Sequence, residues 1–506
     1  MTITSPPRPL FRPTPFLRDV ILSGLTAVVV MVSLVLVTGW LAAGLGPDDF
    51  GAYALSRRLL SAVIAISPGP LGVALARALA MTATAHDRLG YVVAGALYAI
   101  LPCLVILAIG AALPDVWAQV FLSDARYAPV LLATLALILG TTVYSVVFAR
   151  YRGMNQIGRA NLWQIWVLAI GPAVVAAALS RTGRLALIVL LTGVVSFTSV
   201  VPLLGWLVAA GRARLGWQEI QQKLGDLTRY SVPRVPGAVA FAGLFAVGPL
   251  LAPYFSDLRH AGFLVAGQSV LRVVEGGTSG FGMVALPRVA ALQARKSTPS
   301  LRGPVEDLIA MVLHVGIFAT CQLTIWAPEI VLVWLGAGYR DAIPLVRVLV
   351  LSVVPYLAYT ALRSVIDGLE ERAVNARNTY IAFSVTTGLS LVSGFAGFGA
   401  LGLAIAGSLG FALLGALSVL HLRRVLGLGT AELRLRAALA GNALASLASL
   451  ALAALIAQGM GPAGRLSVGA ALGIALFLIY LMVLRRLGAR WLLEVEHRLF
   501  PRRTAP

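Results

Sequence analysis

Apolar stretches of about 20 residues, parted by short polar joints, recur along all 506 residues. Each is long enough to cross ~30 Å of hydrocarbon as a helix. The pattern predicts fourteen spans: 20–43, 50–76, 89–113, 127–149, 160–180, 185–209 and 230–254 in the first half, then 261–287, 307–327, 342–364, 379–397, 400–422, 437–457 and 466–484. The first, VILSGLTAVVVMVSLVLVTGWLAA, holds no charge in 24 residues and follows the proline-rich, basic MTITSPPRPLFRPTPFLRD. It is too long for the apolar region of a signal peptide, so an uncleaved anchor is expected. The expected class is an all-α integral membrane protein.

Composition agrees, since 59% of residues are hydrophobic and 12% charged, against about 25% charged in soluble domains. The net charge of +20 raises the question of a nucleic-acid partner, and its distribution answers it. With the N-terminus inside, 29 Arg and Lys fall in cytoplasmic segments and six in outward loops. This positive-inside asymmetry puts both termini in the cytoplasm and makes the charge topogenic; no nucleic acid is expected.

Other chemistry is sparse. Cys103 and Cys321 lie inside apolar spans and the five histidines are scattered, so no disulfide framework, metal site or cofactor is expected. GFGALG at 397–402 fits a dinucleotide fingerprint in letters only, because it joins two spans and follows no strand. The outward loops reach about fifteen residues at most, which disfavours a membrane glycan polymerase or ligase. No enzyme is expected.

Apart from Arg363, at the inner edge of span ten and counted with the cytoplasmic loop that follows, five arginines lie within spans: Arg57, Arg58, Arg234, Arg272 and Arg347. Intramembrane charge is costly and therefore a functional candidate by default. Arg57 and Arg58, about 10 Å into span two, either face an aqueous cavity or snorkel to headgroups. Arg272 is near the middle of span eight, where Glu275 at i, i+3 offers a local counter-charge. Arg234, between Pro233 and Pro236, and Arg347 lie near span ends and could equally meet lipid phosphates.

The halves also echo one another. Residues 51–80 aligned on 262–291 without gaps match at nine of thirty positions, including Gly51 with Gly262 and Arg77 with Arg288. ARYRGMNQIGRAN and ALRSVIDGLEERAVNARN are a second pair, closing on Asn161 and Asn378. The expected organisation is a tail (1–19), an N-lobe of spans one to six (20–225), a parallel C-lobe of spans seven to twelve (226–425), and an appended pair with a basic cytoplasmic tail (426–506). Under the offset of 211, Arg272 corresponds to Ser61, which shares a helical stripe with Arg57 while Arg58 is turned about 100° away. A twofold relation would set Arg57 opposite Arg272 and leave Arg58 to snorkel or to brace the lobe.

LAAGLGPDDFGAYALSRRLL, RYSVPRVPG, APEIVLVWLGAGYRDAIPLVRVL and LRSVIDGLEERAVNARN make the chain resemble the polysaccharide transporters, or Wzx-type oligosaccharide flippases, of the multidrug, oligosaccharidyl-lipid and polysaccharide (MOP) exporter superfamily. The resemblance implies two six-helix lobes around a central cavity in a bacterial cytoplasmic membrane. It also implies an undecaprenyl-diphosphate-linked glycan as cargo, with a polysaccharide polymerase and glycosyltransferases as pathway partners. A lipid II flippase and an antiporter-type small-molecule exporter are the alternatives. Arginines suit a diphosphate because the guanidinium fork pairs bidentately with phosphate oxygens. Glu275 is then the candidate for ion coupling, and Pro233 and Pro236 with the GxxxG pair Gly276 and Gly280 are candidate gating elements.

Overall fold

The computed structural model describes residues 13–210, 215–273, 301–370, 373–428, 435–456 and 458–486. They form helices and connecting turns, as lipid requires of a chain that must satisfy its own backbone hydrogen bonds. Among the described residues nine helices are long and apolar enough to cross a membrane, and eleven spans result if each of two bent pairs counts as one. The other three expected spans are also helical. Span eight is described over 258–273; span eleven, Val374–Phe395, carries many Ser and Thr; span thirteen is Leu435–Ile456.

The bends have covalent causes. Span two breaks by 43° between Pro47–Ile66 and Leu71–Met81, where Pro68 and Pro70 remove backbone donors. Span ten breaks by 46° between Ala337–Val350 and Val353–Leu369. Span five carries a π-helical turn at Trp166–Ile170, just before Gly171 and Pro172. Spans four and six pack closely, as do seven, eleven and twelve, and span two lies against both four and seven. Span thirteen packs on span nine and on span fourteen.

The halves meet at one end, formed by the odd-numbered loops. A methyl group on Gly51 would overlap the Leu258 carbonyl, and one on Gly262 would lie 3.2 Å from the Gly51 Cα. The two glycines that the repeat aligns thus touch each other. Asp48 and Arg259, separated by the same offset, form an ion pair at 3.8 Å. Tyr339 sits edge-on to Phe50 and Phe263, with ring centroids 5.8 and 5.6 Å away, and its hydroxyl donates to the Ala42 carbonyl at 2.9 Å. Trp334 Nε1 donates to Val35 O at 2.7 Å, and the Tyr254 hydroxyl to Val120 O. This seam closes the odd-loop end.

At the even-loop end the amphipathic helix Trp217–Ser231 leads into span seven and packs on spans two and three. Buried Lys223 bonds to Asp87 at 3.0 Å and Glu219 at 2.5 Å, and Glu219 also meets His86 at 2.9 Å. Gly90 makes room for the lysine stem, since a Cβ there would lie 2.7 Å from Lys223 Cδ. Hydrogen bonds from Lys223 and then His86 hold the Glu219 carboxyl below its usual range. Burial alone would lower Lys223, but its bonds to Glu219 and Asp87 outweigh this and raise it. The Glu219 contribution is present above the ordinary carboxylate range and fades as pH falls through its lowered value. That of Lys223 is present below the ordinary lysine range and fades as pH rises through its raised value. The contact is therefore firm across neutral pH. Lys223→Met should speed hydrogen exchange of the Trp217–Ser231 amides roughly tenfold, between the limits for exposed and buried pairs. Unchanged exchange would mean that apolar packing alone holds this helix.

Candidate functional site

About 10 Å below the seam, at seven residues of helical rise, three elements bring charge together. Arg58 on span two donates from Nη2 to Gln268 Oε1 of span eight at 2.7 Å. Gln268 is 2% exposed, and one helical turn beyond it stands Arg272. The Arg272 guanidinium lies 4.2 Å from the Phe245 ring centroid and 5.9 Å from that of Phe241. Arg58 lies 5.8 Å from the same Phe245 ring. Two like charges therefore approach one aromatic ring, and buried Arg58 is repelled by both Arg272 and Arg57. Span seven supplies the rings at i, i+4, backed by Tyr359 at 5.8 Å from Phe241 and by Tyr356 and Phe411 at 5.7 and 4.9 Å from Phe245.

Cation–π contact and one neutral amide partly offset the cost of holding guanidinium here. The offset is incomplete, because Arg58 Nε is buried with no hydrogen-bond partner among the described residues. A buried guanidinium with an unused donor is suited to binding an anion.

The sequence-derived candidates divide. Arg58, expected to snorkel or to brace the lobe, is bonded across the two halves. Arg57 is half-buried beside it and makes no side-chain hydrogen bond or ion pair among the described residues; its carbonyl accepts from Ser61 Oγ at 2.9 Å. Arg234 lies elsewhere, exposed at the start of span seven, stacked 3.7 Å from the Tyr230 centroid. Arg77 approaches that ring at 5.1 Å. Arg347 is exposed, with Nε 3.3 Å from Thr324 O. Pro233 and Pro236 flank the 3₁₀ turn Val232–Arg234 that joins the amphipathic helix to span seven. Glu275, Gly276 and Gly280 lie outside the described residues. No group of three or more metal-ligating side chains occurs among the described residues.

Gln268 and the Phe241/Phe245 pair escaped sequence reasoning. Gln268 carried a signal, since the offset of 211 makes it the counterpart of Arg57. The phenylalanines carried none, because an aromatic pair at i, i+4 in a span reads the same whether it faces lipid or a cation. An apolar groove of ≈ 570 Å³ between spans one, eight, nine and fourteen is lined by Trp40, Val270, Trp334 and Leu466 among others. No charged group lines it, so it is separate from the arginine site.

No family model matches the chain, and neither does any curated protein sequence. Solved structures do. The lipid II flippase MurJ in an inward closed conformation aligns over 93% of this chain and 99% of its own, at 14% identity and a TM-score of 0.72. An inward-facing multidrug resistance MATE family transporter of the MOP superfamily aligns over 80% and 98%, at 15% identity and 0.64. A MOP superfamily transporter from Pyrococcus furiosus, described by the reverse polarity of its binding pocket, aligns over 81% and 96%, at 14% and 0.54. At these identities the likeness is one of fold: this multi-pass membrane protein has the MOP flippase fold.

Proposed function

We propose that this protein is a flippase that turns a polyprenyl-diphosphate-linked oligosaccharide from the inner to the outer leaflet of a bacterial cytoplasmic membrane, for surface polysaccharide assembly. The carrying observation is the gathering of Arg58, Arg272 and neighbouring Arg57 between the two halves, with Arg58 Nε buried and without a hydrogen-bond partner among the described residues. A diphosphate brings negative charge and accepts bidentate hydrogen bonds. The glycan travels with it past the hydrocarbon, while the polyprenyl tail stays in lipid. Alternating access follows if the seam at Gly51 and Gly262 opens once cargo is held. The glycosyltransferases that build the glycan and the polymerase that uses it are the partners this reading requires, and both termini face the cytoplasm.

Lipid II is the second reading, favoured by the extent of the MurJ alignment, which takes in nearly all of this chain. Export of small cations is the third, and it fits poorly with a cluster of guanidiniums. The fold does not choose among these, since its pocket polarity differs between transporters.

The test is reconstitution in proteoliposomes with a fluorescent polyprenyl-diphosphate oligosaccharide, with lipid II and ethidium in parallel arms. Oligosaccharide translocation is expected; translocation of lipid II alone selects the second reading, and ethidium efflux alone sinks both flippase readings. Arg347→Ala should leave oligosaccharide translocation within about twofold of the parent, as expected of an exposed side chain. A large loss would place that residue on the cargo path.

A further inference from the structure

Well away from the arginine cluster, polar side chains form a column where spans nine, thirteen and fourteen meet. His314 Nδ1 lies 2.5 Å from the Tyr480 hydroxyl, and Asn442 Nδ2 donates to His314 O at 3.3 Å. Further along, Ser449 Oγ donates to Gln322 Oε1 at 3.0 Å. Asn442, Ser446 and Ser449 repeat at i, i+4, i+7 and so occupy one stripe of span thirteen. His314 is 3% exposed and Asn442 and Ser449 are 0% exposed.

Glycines let the three helices approach closely along the column: a Cβ on Gly441 would lie 2.7 Å from the Tyr480 ring and one on Gly469 would overlap the Trp326 ring, whereas one on Gly473 would make ordinary contact with Gln322 Oε1 at 3.5 Å. If the column were only glue between helices, its polar atoms would be paired. Instead Gln322 Nε2, Ser446 Oγ and Trp326 Nε1 are buried with no hydrogen-bond partner among the described residues. Such groups are costly in hydrocarbon and fit a path that water can fill.

The ends of the column differ. At the odd-loop face it meets a pocket of ≈ 310 Å³ lined by Trp326, Glu329, Gln458 and Arg465 among others. Below His314 an apolar packing of Ala310, Met311, Leu481 and Leu484 follows. The polar stretch from Trp326 to His314 covers twelve residues of one helix, or ~18 Å, more than half of the hydrocarbon.

We propose that this column is a proton half-channel, in which water bridging the polar atoms carries protons from the odd-loop face to His314. The proton adds to the neutral imidazole and no other bond changes. Tyr480 donates its hydroxyl hydrogen to the neutral ring and accepts from the imidazolium, so their contact survives both charge states. The charged groups on the packed elements are Glu329 and Arg465 at the pocket, Arg302, Glu306 and Asp307 below His314 on span nine, Arg485 on span fourteen, and Arg347 of span ten near Thr324. Span ten otherwise presents Val354 and Leu357 to Gly316. His314 is thus the deepest titratable base on this path, and its charge would bias how spans thirteen and fourteen sit on span nine.

The experiment needs no cargo, so its failure is distinguishable from failure of the flippase reading. Full-length protein in oriented proteoliposomes on a solid-supported membrane receives a step from about pH 8 to about pH 6, across the ordinary histidine range. A transient inward charge displacement is expected when the step is applied at the odd-loop face and not at the other. His314→Ala should abolish it, and so should His314→Gln, which keeps a polar partner for Tyr480 and guards against misfolding. Ser446→Val should slow it. No displacement in the parent overturns the proposal. So does a displacement that survives in both His314 variants.

Discussion

Arg272→Ala and Arg58→Ala are each expected to lower oligosaccharide translocation about ten- to hundredfold while leaving the protein at normal abundance in the membrane. The magnitude follows from one charge-assisted hydrogen bond to the cargo phosphate, worth ~1.5–3 kcal/mol. The variants should differ in stability. Arg58→Ala leaves Gln268 Oε1, bonded at 2.7 Å in the parent, buried without that donor, at a cost of ~1–3 kcal/mol. Arg272→Ala removes a charge stacked on Phe245 and a source of repulsion on Arg58. Arg57→Ala tests the remaining guanidinium, which has no side-chain partner among the described residues to lose. Translocation in proteoliposomes, normalised to the amount of protein incorporated, is the measurement. Normal rates in all three variants would end the cationic-cavity mechanism.

The second large effect concerns the seam. Gly51→Leu places a branched side chain against the Leu258 carbonyl and the facing Gly262, a backbone contact that cannot yield without separating the spans. The odd-loop end should then fail to close. In a background lacking Cys103 and Cys321, the two native cysteines, a cysteine at Ala42 reports this directly. Ala42 is 1% exposed beneath Tyr339, so an impermeant maleimide should label it slowly in the parent and rapidly once Gly51 is replaced. Translocation should fall with the same substitution. Gly72→Ala, in the same span but with open space at its Cβ position, is the control and should change neither. If Gly51→Leu leaves labelling slow, the seam tolerates the side chain and does not govern access.

Much of this molecule follows from one-dimensional information. Fourteen apolar stretches dictate helices because a lipid-exposed backbone has no other way to pair its polar groups. The offset of 211 aligned Gly51 with Gly262, and the fold brings the two into contact; Asp48 and Arg259, which the same offset relates, form an ion pair. Residues on a pseudo-twofold axis meet their own counterparts, and a repeat in the sequence records that. The same offset relates Gln268 to Arg57, a signal that became readable only once the fold had placed the amide against Arg58.

The division of labour between Arg57 and Arg58 depended on more than helical phase. Neighbours 100° apart on a helix can both reach an interface when side chains as long as arginine sweep across several ångströms, and the Gln268 amide captured one of them. Arg234 fell inside a predicted span, yet the fold sets it in the exposed 3₁₀ turn Val232–Arg234, and Arg347 is exposed on the helix Ile343–Val350 that precedes the bend of span ten, because a window of hydrophobicity sees neither a 3₁₀ turn nor which face of a helix is covered. The polar column was invisible for a related reason. His314, Asn442 and Tyr480 lie 128 and 38 residues apart in sequence, and each alone reads as a tolerated polar residue in an apolar run. The sequence by itself determined the solvent, the helices and the doubling of the chain, since these rest on local hydrophobicity and on repetition. Which cations meet, which end is sealed and which polar atoms are buried together were decided by tertiary structure, because those depend on how helices distant in sequence dock and rotate against one another.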